Sequence, residues 1–438
     1  MMLSGWGRHP NIEAQFHQPR SLDQLQALLH ASSDLIARGN GRAYGDSAIN
    51  ANSTIDMRFF NRLLNFNNDT GLLVAEPGVT FSDIISAFLP RGWFPLITPG
   101  SKFVTLGGAV AADVHGKNHH KDGSFRECVD WLEIMGSDGQ LQRCSRDENC
   151  VLFDHTLGGM GLTGIIVRVA MRLRRVESGW IRQNIVPAAN LEAVMAEFEK
   201  ADSATYSVAW INCLSSGKNL GQSLLMLGEH AGTTELGSHH PTDIPTSKKR
   251  TIPFDFPSFT LNRFTVGLFN AAYYWAGSRK TEPHLVNWDG FFYPLDRLDG
   301  WNKIYGARGF AQFQCVLPLA HSKAGLTQLL EQTSRAGAGS FLAVLKRFGK
   351  QESAFSFPQE GYTLALDFPV NRGTLELMEK LDKIVLQHSG RFYLAKDSRM
   401  QKETFWASDQ RAASFLSYRN QMGTSSAFAS HQSRRLGF

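Results

Sequence analysis

The residues best suited to chemistry lie in glycine-rich runs. The densest is Arg38-Gly39-Asn40-Gly41-Arg42-Ala43-Tyr44-Gly45-Asp46-Ser47. Thr98-Pro99-Gly100-Ser101, Gly107-Gly108-Ala109 and Gly158–Gly164 follow it. Successive small residues leave backbone N–H groups free to converge on an anion, the nest arrangement that holds a pyrophosphate. Singly, each run is an ordinary turn. Together in one stretch of chain they point to a bound anionic ligand.

One run spells a motif that its context contradicts. Gly159-Met160-Gly161-Leu162-Thr163-Gly164 is a literal GxGxxG, which needs a strand before it and a helix after it to set a helix N-terminus on a pyrophosphate. Here Ile165, Val167, Val169, Met171 and Leu173 alternate with Arg168 and Arg172, so a strand with one buried face should follow. No acidic residue stands where a βαβ unit would place the ribose partner of NAD. The run is a strand-entry turn, with or without its amides on a different cofactor. His115, His119 and His120 have two members four apart, but Gly116 interrupts any helix and no cysteine is near, so no metal site is expected. Lysines such as Lys117, Lys346 and Lys396 read singly as solvated charges.

The elements that must position these groups change character along the chain. Up to about residue 175, strands alternate with helices. Ser21 and Gln24 cap a helix carrying Leu22, Leu25, Leu28 and Leu29, Leu72–Ala75 forms a strand, and Thr80 caps a helix with Phe81, Ile84, Ile85 and Phe88. From 176 to 390 the helix Leu191–Lys200 is followed by strand-like Thr205–Ile211, Leu224–Leu227, Phe310–Leu317, Phe341–Arg347 and Tyr362–Phe368, then a helix Thr374–His388 with Gly390 at its C′ position. That is an antiparallel sheet backed by helices, an α+β arrangement. Residues 229–309 show little periodicity. They are polar up to Lys248-Lys249-Arg250, then crowded with Phe254, Phe256, Phe259, Phe264, Phe269, Tyr273, Tyr274 and Trp275. This aromatic stretch is either core or lid, or else a grip for a lipid tail or a surface resting on a membrane.

Composition bounds the answer. A chain of 438 residues, 42% hydrophobic and 19% charged, is a folded protein of two domains. A net charge of +5 lacks the dense basic footprint of a nucleic-acid binder. Five scattered cysteines with no CxxC fit reduced thiols. The N-terminus has no apolar core of signal-peptide length, and Val266–Gly277, the most apolar stretch, is about half of what a membrane span needs. A cytoplasmic protein is expected, with a peripheral contact at the inner membrane face left open.

The segment VTLGGAVAADVHGKNHHKDGSF (Val104–Phe125) resembles, almost residue for residue, the FAD-binding core of the vanillyl-alcohol-oxidase and p-cresol-methylhydroxylase type of flavoprotein, and most of all its decaprenylphosphoryl-ribose-oxidising subgroup. So do SGWGR near the start, GRAYGD (Gly41–Asp46), GGMGLTG (Gly158–Gly164), QFQ (Gln312–Gln314), SFLAVLKRFG (Ser340–Gly349), GYTLALDFP (Gly361–Pro369) and LAKDSR (Leu394–Arg399). The resemblance is thinnest over 229–309.

That resemblance implies an α+β fold of two domains. Residues 1–178, completed by 391–438, would bind FAD, and 179–390, with a long insertion at 229–309, would bind substrate. FAD would be held by Arg38, Gly39, Asn40, Gly41, Arg42, Ala43, Tyr44, Gly45, Thr98, Pro99, Gly100, Gly107, Gly108, Ala111, Ala112, His115, Gly116, Asn118, Gly159, Gly161, Gly164, Ile165 and Lys396. Arg42 stands where many relatives carry the histidine bonded to flavin, so the FAD would be non-covalent. Lys396, Lys117, Tyr44 and His115 would be catalytic, with Lys396 or Lys117 as the base. Gln312, Gln314, Lys346, Thr363 and Ala365 would meet the substrate. Ala365 replaces the cysteine that nitroaromatic inhibitors attack in the mycobacterial type. The implied reaction is oxidation of the 2′-hydroxyl of a polyprenyl-phosphate-linked ribose to a keto sugar. A separate NAD-dependent short-chain reductase would complete epimerisation to arabinose. The other reading is a flavin enzyme of a free sugar, polyol or aldonolactone. No nucleic-acid partner is implied.

Overall fold

The computed structural model describes residues 1–32, 34–243 and 250–438. Lys248 and Lys249 of the expected basic cluster lie outside the described residues; Arg250 is exposed. Near the N-terminus the strand Thr54–Asp56 pairs in parallel with Phe16–His17 on one side and Ile36–Arg38 on the other. The first glycine run begins where Ile36–Arg38 ends, so a paired strand anchors it. Ser21 caps the helix Leu22–Ala31, which buries Leu25 and Leu29.

A second sheet runs in the order Leu141–Ser145, Val129–Met135, Ile165–Arg175, Leu72–Ala75, Leu63–Asn67, and Trp93–Pro95 pairs with the far end of Ile165–Arg175. Its pairings are antiparallel. Ile165–Arg175 directly follows Gly164, which excludes the Rossmann turn. The strand does not have the single buried face that its alternation predicts. Ile165 and Val167 pack with Leu25 and Leu29, while Ile166, Val169, Met171 and Leu173 pack on the other side. A register shift between Ile166 and Arg168 and a covering helix on each side make both faces internal.

The third sheet has eight strands in the order His284–Asn287, Trp180–Ala188, Ser223–His230, Tyr206–Ile211, Ala343–Phe348, Gly361–Pro369, Phe310–Pro318, Arg391–Phe392, all antiparallel. Helices Leu191–Lys200, Leu319–Ala336 and Arg372–Gln387 pack through Val194, Leu326, Leu330, Leu381 and Val385 onto Phe313, Cys315, Leu345, Leu364 and Leu366. Because strand side chains alternate between faces, the intervening residues point the other way. That other face becomes the wall of a cleft. The helix Arg372–Gln387 ends differently from the expectation: Ser389, at φ 54°, takes the left-handed position, and Gly390 instead donates its N–H to Val385.

Two further segments depart from the sequence reading. The aperiodic 229–309 region contains the fifteen-residue helix Arg263–Gly277, capped by Asn262. The tail, after its edge strand Arg391–Phe392, forms four helices and returns to the N-terminal part, with Ala429 N–H on Leu35 O and His431 N–H on Ile49 O. No helix among the described residues is long and apolar enough to cross a membrane. The five cysteines are free.

Candidate active site

Glycine shapes one wall of the cleft. Gly41 has φ 62°, and a Cβ there would run into the Arg38 guanidinium; a Cβ on Gly39 would overlap the Thr105 hydroxyl. Among the described residues, the backbone N–H groups of Gly39, Asn40, Gly41, Arg42 and Ala43 donate to nothing. Unpaired N–H groups in a run are the donor set of an anion nest. Asn40 Nδ2 ties the run to Phe103 O at 3.0 Å, and Arg38 donates to Ser4 O at 2.7 Å. Arg42 lies over the Trp6 ring at 4.1 Å, and its buried Nε has no partner among the described residues.

The nest opens into a cleft of about 290 Å³, with a recess of about 90 Å³ behind it that shares Gly39, Ala43, Thr105, Gly108 and Ala112. The opposite wall is the free face of the eight-stranded sheet. Gln312 sits opposite Asp367, Gln314 opposite Ala365, Val344 also opposite Ala365, and Lys346 opposite Thr363. All seven line the cleft. Gln312 Nε2 donates to Asp367 Oδ1 at 2.5 Å, and the Tyr305 hydroxyl donates to Asp367 Oδ2 at 3.3 Å. Gln314 Nε2 lies 3.3 Å from both Thr363 Oγ1 and His115 Nε2. Lys396 closes the site with its ammonium over the Tyr44 ring.

Burial sets the protonation of this wall. It holds His115 far below the ordinary imidazole range, helped by the positive charges of Lys346 and Lys396. His115 is therefore neutral: Nε2 accepts from Gln314, and the Nδ1 proton is buried without a partner among the described residues. Burial brings Lys346 down to about 8. It also lowers Lys396, opposed by Asp367 and reinforced by Lys346. Asp367 is raised by the same burial against the bonds from Gln312 and Tyr305. Tyr44 rises above the usual phenol range through burial and the nearby Asp367 carboxylate. A neutral imidazole, two amines with weakened hold on their protons and a carboxyl with strengthened hold surround one space. Such a set suits proton exchange with a hydroxyl.

The expected site residues divide into groups. Gly39, Asn40, Gly41, Arg42, Ala43, Tyr44, Pro99, Gly100, Gly108, Ala112, His115 and Lys396 line the cleft, as do Gln312, Gln314, Lys346, Thr363 and Ala365. Arg38, Gly107, Ala111, Gly161 and Gly164 line the recess. The others stand behind the walls. Gly45 packs against Asp397 and Ser398, and Gly159 packs against His155. Thr98 is hydrogen-bonded to the Tyr293 hydroxyl, Gly116 abuts Asn118 and Thr98, and Asn118 donates to Leu96 O and Asp122. Ile165 points into the core, and its neighbour Ile166 faces the recess. Lys117 lies outside the cleft lining. Its Nζ donates to Phe291 O at 2.5 Å over the Phe291 ring, and burial lowers it to about 7. His119 packs at a tilt against Phe348 with centroids 4.2 Å apart, and among the described residues no cluster suits a metal.

The sequence reading missed Asp367, Thr105, Trp6 and Trp301, all in the cleft lining. Asp367 had a signal. It stands two residues past Ala365 and four past Thr363, on the face they share.

Comparison with known proteins points to the cofactor. Residues 14–145 match the family model described as an FAD binding domain. The chain is similar to decaprenylphosphoryl-beta-D-ribose oxidase of Mycolicibacterium smegmatis, 34% identical over 99% of this chain and 97% of that protein. It is similar to an uncharacterised protein of the mprA 5′ region of Streptomyces coelicolor, 30% identical over 82% of this chain and all of that one. An uncharacterised oxidoreductase of the fasciation locus of Rhodococcoides fascians is 28% identical over 42% and 43% of the two chains.

Proposed function

The chain belongs to the family of FAD-dependent oxidoreductases that includes decaprenylphosphoryl-beta-D-ribose oxidase, and we propose that it oxidises the 2′-hydroxyl of a polyprenyl-phosphate-linked ribose. The observation that carries this reading is the polar strip Gln312, Gln314, Lys346, Thr363, Asp367 on the sheet wall, facing the Gly39–Ala43 nest across one cleft. The nest fits FAD. It offers unpaired N–H groups, glycines where a Cβ has no room, and the cationic Arg38 and Arg42. Gly39 to Ala43, Gly107, Gly108 and Gly161 would hold the cofactor. Bound FAD supplies the acceptor for the hydride that leaves the carbinol carbon.

The chain's own residues do the rest. Lys396, whose burial favours the neutral amine, takes the hydroxyl proton. Lys117 is left out of that role by its bond to Phe291 O. Asp367, beside Lys396, favours the protonated amine and so holds the proton once taken. Gln312, Gln314 and Thr363 orient sugar hydroxyls. Lys346 and the Nδ1 proton of His115 face negative charge on the reacting oxygen or the phosphate. The keto sugar leaves for a separate NAD-dependent short-chain reductase, which completes epimerisation to arabinose.

Turnover of a polyprenyl-phosphoryl ribose beside free ribose, a polyol and an aldonolactone tests this proposal. Its expected result is a product two hydrogens lighter from the lipid-linked sugar only. Oxidation of the free compounds with none of the lipid-linked ribose would replace the proposal by an oxidase of small sugars.

A further inference from the structure

The helix Arg263–Gly277 presents an outer face that no other described residue covers. Phe264 is 80% exposed, Leu268 66% and Trp275 58%, at spacings of four and seven that put them on one side with Ala271 and Ala272. The opposite side holds the helix to the protein through buried Val266 and Asn270, whose Nδ2 donates to Asn212 at 2.9 Å. Phe259, just before the helix, is 74% exposed. Isolated apolar residues at a surface are ordinary, but a continuous strip of this kind marks an interaction surface.

Two observations select the partner. From 256 to 281 the sequence contains no Asp or Glu, while Arg263 stands at one end of the helix and Arg279 with Lys280 at the other. Arg279 lies over the Trp275 ring at 3.7 Å, the pairing of an aromatic body with a cationic head. An uncharged aromatic face between cations is the pattern of a helix lying in an anionic bilayer surface. Two copies meeting across the same face would bring like charges together, so self-association is disfavoured. The helix also borders the site. Phe269 packs on Phe341 with centroids 6.0 Å apart, next to Leu342, and Leu261 joins the cluster of Trp301 and Leu295; Leu342, Trp301 and Leu295 line the cleft.

We infer that Arg263–Gly277 docks the enzyme on an anionic lipid bilayer, laying the cleft beside the membrane from which a lipid-linked substrate is drawn. This inference rests on the proposed substrate class. Its test uses the full-length, FAD-loaded enzyme and flotation with phosphatidylcholine vesicles, with and without phosphatidylglycerol. The wild type floats with the anionic vesicles. Leu268→Asp lowers that partition by about a hundredfold, and Leu268→Ser and Arg279→Glu lower it less. All three variants turn over a water-soluble, short-chain prenyl-phosphoryl ribose within about twofold of wild type, but lose turnover of a long-chain substrate held in vesicles.

Wild type that turns over the short-chain substrate without binding vesicles overturns the docking and leaves the substrate reading standing. So does a dimer, seen by sedimentation, that Leu268→Asp dissolves in a protein that ignores vesicles. Vesicle binding lost in Leu268→Asp, with neither ribose oxidised by wild type, keeps the docking surface but removes its link to the substrate. Unchanged binding in all three variants overturns the inference.

Discussion

The Lys396 ammonium nitrogen stands 3.6 Å from the centre of the Tyr44 ring, joining a residue of the tail to one of the first glycine run. The backbone fixes the pair as well: Tyr44 N–H donates to Ala395 O at 2.9 Å. Arg435 then clamps both loops, reaching Asp46 at 2.9 Å and Asp397 at 2.8 Å. A lysine held this way cannot follow solvent, which is why burial acts on its proton. Lys396→Met should keep the yellow colour while slowing flavin reduction by substrate about 10²–10⁴-fold, the usual worth of a positioned base. Stopped-flow absorbance measures both. Unchanged reduction would remove Lys396 from the reaction.

Asp367 gives that role a pH signature. Flavin reduction should rise with pH along a limb well below the ordinary lysine value of 10.5, because burial lowers Lys396. The Asp367 carboxylate opposes that lowering, so Asp367→Asn should move the limb to lower pH. A limb that stays in place in Asp367→Asn would show that another group titrates.

Lys346 makes a stability prediction of definite sign. Its pKa is about 8 in the folded protein against 10.5 ordinarily. Between those values the unfolded chain binds more protons, so stability rises with pH across that window, and the cost of burying the charge is fully present below it. Lys346→Met should therefore melt a few degrees higher than wild type at pH 7, with the gain fading as pH rises towards 10.5. Thermal melts at several pH values check this; a gain that grows with pH would contradict it.

Arg42 has no chemistry for bonding to a flavin carbon, so acid precipitation should release all the flavin into the supernatant. Colour retained in the pellet would show a covalent link. Gly41→Ala, with φ 62° and Arg38 in the way of a Cβ, should purify largely colourless, measured by the ratio of flavin to protein absorbance.

Ala365 leaves the sheet wall without a thiol at that position. In the presence of a substrate that reduces the flavin, which supplies the two electrons that turn a nitro group into a thiol-reactive nitroso group, wild type should show no time-dependent inactivation by a nitroaromatic compound, and Ala365→Cys should acquire it. Mass spectrometry of the protein reads the adduct; an adduct on wild type would locate a different nucleophile.

How much of this was legible depends on which interactions decide each feature. Gly39 and Gly41 announce themselves because few other residues fit such a turn. The strip Gln312, Gln314, Lys346, Thr363 is legible only through the family resemblance; the period of two in a strand then explains why its members share one face. Asp367 belongs to the same period, but a carboxylate closing an apolar strand looks like a surface residue until Tyr305 and Gln312, distant in sequence, are brought to it. Lys117 lies outside the cleft lining for a related reason: the turn after His115 aims its side chain at Phe291, a contact 174 residues away. The helix Arg263–Gly277 escaped periodicity because its exposed side is as apolar as its buried one.

The most direct measurement of the central claim is the absorbance of the FAD-loaded enzyme without oxygen on adding a polyprenyl-phosphoryl ribose. The account predicts that the flavin bands bleach, and that Lys396→Met, equally yellow, bleaches far more slowly. Flavin bands that persist with this substrate, or a purified protein that neither carries nor takes up FAD, would contradict it.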